Sequence, residues 1–139
     1  MKRKGSPVAE KAIIALADGK IYQGYSFGAS RSVDRAVIGE MVFNTSLFGY
    51  QEILTDPSYA GQIMNFTAPH IGNVGCNPQD DESSQVHVEG MVVRQLSRVV
   101  SNFRSTQSLP EYLRERDILG VSGIDTREIV RHLRDNGSQ

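Results

Sequence analysis

The sequence predicts a single α+β or layered β/β/α domain rather than a repeating βαβ unit. Its 139 residues are the commonest size for one domain and are enough to bury a core. Hydrophobic residues make up 39% of the chain and charged residues 22%, which is typical of a globular protein. Most apolar segments of strand length precede two capped helices near the end of the chain, and this order favours the α+β class.

A β-hairpin is predicted at the start of the domain. Two apolar runs, residues 12–17 and 20–25, flank Asp18 and Gly19. Asp-Gly between two such runs is a strong hairpin signal, because both turn residues tolerate positive φ. The polar residues 30–35 predict an exposed loop after the hairpin.

A short helix is predicted after a β-rich run, residues 36–43, that Gly39 and Glu40 interrupt. Three side chains that can accept from the free N–H groups of a first helical turn precede it: Asn44, Thr45 and Ser46. The apolar face of this helix carries three residues spaced three and four apart: Tyr50, Ile53 and Leu54. The helix is expected to end at Asp56-Pro57, because proline disfavours the helical conformation of the residue before it.

The later elements are predicted from periodicity and capping residues. Residues 62–68 begin with an alternation typical of a half-buried strand. Residues 69–78 are rich in Gly, Asn and Pro and predict irregular structure, whereas residues 89–96 predict a strand. Ser108 begins a capping box, with proline in the first turn, for a helix that ends near Arg116.

The last helix is predicted to begin at Asp125, which has Glu128 three residues later. Its inner face carries Ile129, Val130 and Leu133. Gly137 suits the cap at the C-terminal end, because glycine readily adopts the left-handed conformation required there.

Composition excludes several classes of function. The net charge of −1 gives no electrostatic reason to expect nucleic acid or an acidic membrane as a partner, and no apolar run approaches the length of a membrane span. The single cysteine, Cys76, excludes an internal disulfide and is consistent with a cytoplasmic location. We assign residues 1–11, which include a basic cluster, to a flexible N-terminal tail, and residues 12–139 to the domain.

The chain contains side chains suited to three kinds of chemical site. Cys76 could act as a nucleophile with His70 or His87 as its base, although a lone cysteine is more often a small buried apolar residue. The histidines have no ligand-like spacing, so no metal site is expected. Ser58, directly after Pro57, either satisfies a backbone group of its own turn or presents its hydroxyl to a ligand.

Five motifs resemble, in order, those of the amino-terminal domain of the carbamoyl-phosphate synthase small chain. They are residues 43–59, 69–75, 82–87, 101–104 and 124–127. The resemblance extends from about residue 12 to residue 137. It implies a layered β/β/α domain of the swivelling type. It also implies that the complete enzyme is a ligase that makes carbamoyl phosphate from glutamine, bicarbonate and ATP for pyrimidine and arginine biosynthesis.

The resemblance implies a role for this part of the enzyme. In the family, the serine that matches Ser58 in the Thr-Asp-Pro-Ser-Tyr motif contacts glutamine bound in a C-terminal glutaminase domain. That domain holds the catalytic nucleophile, and the large chain uses ATP and magnesium. We therefore expect no catalytic residue and no cofactor here, with glutamine, the glutaminase domain and the large chain as partners. The alternative is a free-standing binding or assembly module without a glutaminase domain.

Overall fold

The computed structural model describes residues 10–30, 35–46, 49–68, 70–71, 76, 85–96 and 107–139. Within them the strands are β1 (Lys11–Ala15), β2 (Ile21–Gly28), β3 (Glu40–Asn44), β4 (Gln62–Phe66), β5 (His70–Ile71), β6 (Gly90–Val92), β7 (Gln95–Leu96) and β8 (Leu119–Ser122). The helices are α1 (Tyr50–Thr55), α2 (Leu109–Glu115) and α3 (Thr126–Asn136), and a 3₁₀ turn spans Pro57–Tyr59.

Six strands form one mixed sheet in the order β1-β2-β8-β6-β4-β3. The pairs β1–β2 and β2–β8 are antiparallel, whereas β8, β6, β4 and β3 run parallel. Strands β5 and β7 form a second, two-stranded parallel sheet. The predicted α+β class is confirmed, and the arrangement is consistent with β/β/α layers.

Two hydrophobic clusters lie on opposite faces of the large sheet. One contains the buried residues of α1 and α2 with those of the small sheet and of β4 and β6, among them Leu54, Met64 and Leu113. The other contains the buried face of α3, including Ile129, and residues of β2, β3 and β8. The Asn65 side-chain amide, which is fully buried, donates to Thr126 O at 3.0 Å and ties the start of α3 to β4.

The predictions for the hairpin and the two late helices are confirmed. The Leu16 N–H donates to Lys20 O at 2.9 Å across the turn that contains Asp18 and Gly19. Ser108 Oγ accepts from the Glu111 N–H at 3.4 Å at the start of α2. At the other end of the last helix, Gly137 is the cap, as predicted, and its N–H donates to Leu133 O at 2.8 Å. Its φ of 85° is positive, but its ψ of −179° is extended, so the expected left-handed conformation is wrong.

The predicted start of the first helix is wrong. Its N-terminal cap is Gly49 at φ 78°, without a side-chain hydrogen bond, rather than one of Asn44, Thr45 and Ser46. Asn44 Oδ1 instead accepts from the Ser46 N–H at 2.8 Å, so this side chain closes a local turn. The left-handed conformation at Gly49 suits a residue without a side chain.

Three strand predictions need correction. Residues 36–39 lie outside β3, which begins only at Glu40. Strand β4 is not half-buried, because it lies between β3 and β6 with both faces covered, and Met64, Asn65 and Phe66 are all buried. Residues 89–96 form two strands in different sheets, and His70–Ile71, predicted as irregular, forms β5.

Candidate functional site

The candidate site is the turn between α1 and β4 that carries Ser58. The helix ends at Asp56, whose φ of −73° and ψ of 121° are extended, as the following proline predicts. The Asp56 N–H donates to Ile53 O at 3.2 Å. The Asp56 carboxylate in turn accepts from the Ser58 N–H at 2.9 Å. A local side-chain hydrogen bond therefore fixes the backbone that presents Ser58.

Ser58 is exposed, and its hydroxyl lies next to the same carboxylate. The pKa of Asp56 is lowered mainly by the Ser58 N–H and next by the Ser58 hydroxyl, while partial burial opposes this shift. A serine hydroxyl can both donate and accept, and the nearby Asp56 carboxylate can only accept, so the oxygen lone pairs of Ser58 remain available for a donor. The hydrogen bond that shapes this turn uses the Ser58 backbone N–H, and the hydroxyl keeps the capacity to bind a ligand.

His87 lies close to this turn, a position that the sequence analysis did not anticipate. The His87 side chain is the smallest of the influences that lower the pKa of Asp56, and the backbone N–H of His87 donates to Leu54 O at 2.9 Å. The segment that carries His87 therefore runs beside the C-terminal end of α1. In sequence the two residues are 31 positions apart, and no motif joins them, so only the fold brings them together.

A broad buried face of α1 anchors the helix that leads into the turn. Tyr50 and Leu54 are buried as predicted, and Gln51 and Thr55 are buried as well. Thr55 Oγ1 donates to Gln51 O at 2.9 Å, so its hydroxyl is satisfied within the helix. Sequence reasoning missed this polar part of the buried face, because polar residues spaced four apart are normally interpreted as an exposed face.

Cys76 is a core residue. Its side chain is 0% exposed and packs in the cluster with α1 and α2. Its N–H donates to Gln107 O at 2.9 Å, and its carbonyl accepts from the Gln107 N–H at 3.4 Å. A buried thiol cannot reach a substrate, so the structure favours the packing interpretation over a nucleophile.

Among the described residues, no group of three or more His, Cys, Asp and Glu could hold a metal ion. His132, on α3, contacts Asp18 instead, with 2.5 Å between Nε2 and Oδ2.

None of the helices in this part of the chain is long and apolar enough to cross a membrane. The motif segments 72–75, 82–84 and 101–104, and residues 31–34 of the predicted loop, lie outside the described residues.

An open cleft of about 380 Å³ lies where β3, β6 and β8 begin. It is lined by Arg35, Ala36, Val37, Ile38, Glu89, Asp117 and Ile118. Ser58 is not among these residues, so the cleft and the candidate turn are separate features.

Comparison with known proteins identifies the family. A family model described as "Carbamoyl-phosphate synthase small chain, CPSase domain" matches residues 14–139. The chain belongs to this family. The matched region contains every strand and helix described above except the first residues of β1, so the turn that carries Ser58 belongs to the shared domain.

Curated relatives agree with this assignment. The carbamoyl phosphate synthase small chain of Syntrophotalea carbinolica is 54% identical over 129 residues, which cover 93% of this chain and 33% of the relative. The small chain of Stutzerimonas stutzeri is 54% identical over 96% of this chain and 34% of its own length. The small chain of Synechocystis sp. is 54% identical over 94% of this chain and 33% of its own length. The chain thus spans about a third of these relatives, corresponding to their N-terminal part.

Proposed function

We propose that this chain is the N-terminal, non-catalytic domain of the small subunit of a glutamine-hydrolysing, cytoplasmic carbamoyl-phosphate synthase. It completes the glutamine site of the adjoining glutaminase domain through Ser58 and contacts the large subunit. The observation that supports this role best is the exposed Ser58 hydroxyl on a turn that Asp56 holds in shape. A preformed turn binds a ligand without the cost of ordering the backbone first.

The chemistry of the turn suits one end of an amino acid. Next to the Asp56 carboxylate, which can take the hydroxyl proton, the Ser58 oxygen is suited to act as an acceptor, and this matches the α-ammonium group of glutamine. The negative charge of Asp56 behind the hydroxyl strengthens it as an acceptor, because hydrogen bonds polarise one another along a chain. A carboxylate ligand at the same place would meet the Asp56 charge, so we assign Ser58 to the ammonium end.

Hydrolysis and ligation belong to other parts of the enzyme. The one thiol of this chain, Cys76, is buried, so we assign glutamine hydrolysis to the remainder of the small subunit. The use of ATP and magnesium is assigned to the large subunit. The isolated chain is accordingly expected to release no ammonia from glutamine, and Cys76→Ala should leave that background rate unchanged.

The test uses a full-length hybrid small chain, in which this sequence is joined to the remaining two thirds of the Syntrophotalea carbinolica small chain. It is assembled with the large subunit of that organism. Ser58→Ala should reduce carbamoyl phosphate synthesis from glutamine and spare synthesis from free ammonia. Loss of one hydrogen bond to a charged group costs about 1.5–3 kcal/mol, so the glutamine-dependent kcat/KM should fall roughly ten- to hundredfold.

Two controls separate binding from folding. Ser138→Ala removes an exposed hydroxyl that follows α3. It should leave the rates of synthesis from glutamine and from ammonia unchanged. Thermal midpoints of all variants show whether the Ser58 turn itself has weakened. If Ser58→Ala lowers the midpoint but leaves the ratio of glutamine- to ammonia-dependent rates unchanged, the hydroxyl serves only its own turn and the proposed role is wrong.

A further inference from the structure

The outer face of the β1–β2 hairpin is apolar and uncovered. Ile13, Ile21 and Tyr25 are 64%, 54% and 48% exposed. In the register of the two strands Ile13 pairs with Gln23, which lies between Ile21 and Tyr25, so all three side chains project from the same face. We call these three residues the apolar hairpin face.

The same face of the sheet is covered elsewhere. Phe27, two residues after Tyr25, packs against the cluster that contains α1 and α2. The opposite face of the hairpin, represented by Tyr22 and Leu16, is buried in the cluster with α3. Only the hairpin end of this outer layer lacks a covering element among the described residues. Single exposed apolar side chains are normal, but three on one strand pair indicate a surface for contact.

The end of the chain lies at the turn of this hairpin. Gln139 Oε1 accepts from the Asp18 N–H at 3.0 Å, and Gln139 Nε2 donates to Asp18 Oδ2 at 3.2 Å. The Gln139 carbonyl accepts from the Met41 N–H at 2.9 Å. The matched relatives are about three times longer, and their aligned part is N-terminal. In such a chain the polypeptide that follows residue 139 starts between the first residues of β3 and the hairpin turn.

We propose that the apolar hairpin face is the surface on which the following part of the full-length small chain packs. This inference rests on the proposed function, since it requires that part to be present. Covalent attachment at Gln139, whose side chain is hydrogen-bonded to the hairpin turn, gives the following segment a far higher effective concentration at this face than any separate molecule. A large subunit or a second copy of this chain would reach the face only by diffusion.

Thiol labelling tests the proposal. The chain has one cysteine of its own, Cys76, which is buried, so a cysteine introduced on the surface gives a distinct signal. Ile21→Cys and Tyr25→Cys place a thiol on the apolar hairpin face, and Arg131→Cys places one on the exposed side of α3. Each variant is labelled with a maleimide, as the isolated chain and within the hybrid small chain, and the rate at each site is followed by peptide mass spectrometry.

The expected result is that both hairpin thiols react at least about tenfold more slowly in the hybrid than in the isolated chain, because a packed interface excludes the reagent. Arg131→Cys should react at similar rates in both. Equal hairpin rates in the two proteins would overturn the proposal. Protection that depends on the concentration of the isolated chain would instead indicate a second copy, and protection that appears only when the large subunit is added would indicate that subunit.

The result of thiol labelling is independent of the result for glutamine-dependent synthesis. Glutamine-dependent synthesis by the hybrid with unprotected hairpin thiols contradicts this inference and leaves the proposed function standing. Protected thiols in a hybrid that lacks glutamine-dependent synthesis support the packing and contradict the proposed function. Circular dichroism of each cysteine variant confirms that labelling is compared between folded proteins.

Discussion

Asp18 joins parts of the molecule that are far apart in sequence. It lies in the turn of the β1–β2 hairpin, where its Oδ1 accepts from the Lys20 N–H at 3.0 Å. Its Oδ2 contacts His132 of α3 at 2.5 Å and accepts from the Gln139 side chain. The pKa of Asp18 is lowered first by the Lys20 N–H and then by His132. The charged carboxylate is therefore the form that the fold favours.

A lowered pKa in the folded state predicts the direction of a pH effect. The unfolded chain takes up a proton at Asp18 more readily than the native protein, so the contribution to stability is present above the ordinary pKa of 3.8 and is lost as pH falls through the lower native value. Asp18→Asn should lower the thermal midpoint near neutral pH, and its difference from the parent should shrink in acid. Midpoints measured between about pH 6 and pH 3 provide the test.

The control is Asp135→Asn, which alters an exposed aspartate near the end of α3. The difference in thermal midpoint between Asp135→Asn and the parent should stay the same across this pH range. Parallel curves for Asp18→Asn and the parent across this pH range would show that the contacts of Asp18 do not stabilise the charged form.

At the scale of residues, the sequence predicted which residues lie in turns better than it predicted which distant residues they contact. Asp18 was assigned to a hairpin turn and Ser58 to the turn after a helix, because Asp-Gly and Asp-Pro restrict the backbone locally. The contact of Asp18 with His132 joins residues 114 positions apart and has no local signal. The proximity of His87 to Asp56 was not predicted for the same reason.

At the scale of elements, helix caps with a specific side-chain acceptor were predicted correctly. Asp125 Oδ1 accepts from the Glu128 N–H at 3.2 Å, and Ser108 performs the same role for α2. The cap of α1 was missed, because Asn44 has a choice of backbone partners and bonds to Ser46. A polar residue upstream of a helix thus predicts a cap reliably only when the spacing to the first turn is also met.

Asp125→Ala should reduce the free energy of unfolding by about 0.5–2 kcal/mol, since it removes the acceptor for an N–H of the first turn of α3. Urea denaturation of parent and variant measures this loss. Asp125→Asn keeps an acceptor oxygen and should restore most of the stability.

Asp135→Ala is the matched control on the same helix. It removes a negative charge near the C-terminal end, where the helix dipole disfavours one, so stability should stay equal or rise by about 0.3–1 kcal/mol. A comparable loss in both alanine variants would mean that helix propensity or charge, rather than the cap, accounts for the effect of Asp125.

At the scale of the whole molecule, the class of the fold was predictable and the strand order was not. Alternating apolar segments followed by capped helices indicate the α+β class. The order β1-β2-β8-β6-β4-β3 places the last strand in the middle of the sheet, between β2 and β6. Such pairings depend on contacts between distant segments, which periodicity within one segment does not encode. The burial of β4 on both faces was missed for the same reason.

The closing contact of the fold is made by Gln139. Its side chain binds the turn of the β1–β2 hairpin at Asp18, and its carbonyl binds the N–H of Met41 in β3, at the opposite edge of the sheet. Met41 is buried in the same cluster as Leu16 of the hairpin and Leu133 of α3. Gln139, which follows α3, therefore contacts both the β1–β2 hairpin at one edge of the sheet and β3 at the other edge.

Removal of Ser138 and Gln139, which leaves the Gly137 cap of α3 in place, should reduce the free energy of unfolding by about 1–3 kcal/mol, because hydrogen bonds to Asp18 and Met41 are lost together. Gln139→Ala separates the two contacts, since it deletes the side chain and keeps the carbonyl. Amide hydrogen exchange should become faster at both Asp18 and Met41 in the truncated chain, but only at Asp18 in Gln139→Ala. The N–H of Val121, in the centre of the sheet, should keep its protection in both. If Met41 exchanges at the parental rate in the truncated chain, the carbonyl of Gln139 does not hold the edge of β3, and the sheet is closed by side-chain packing alone.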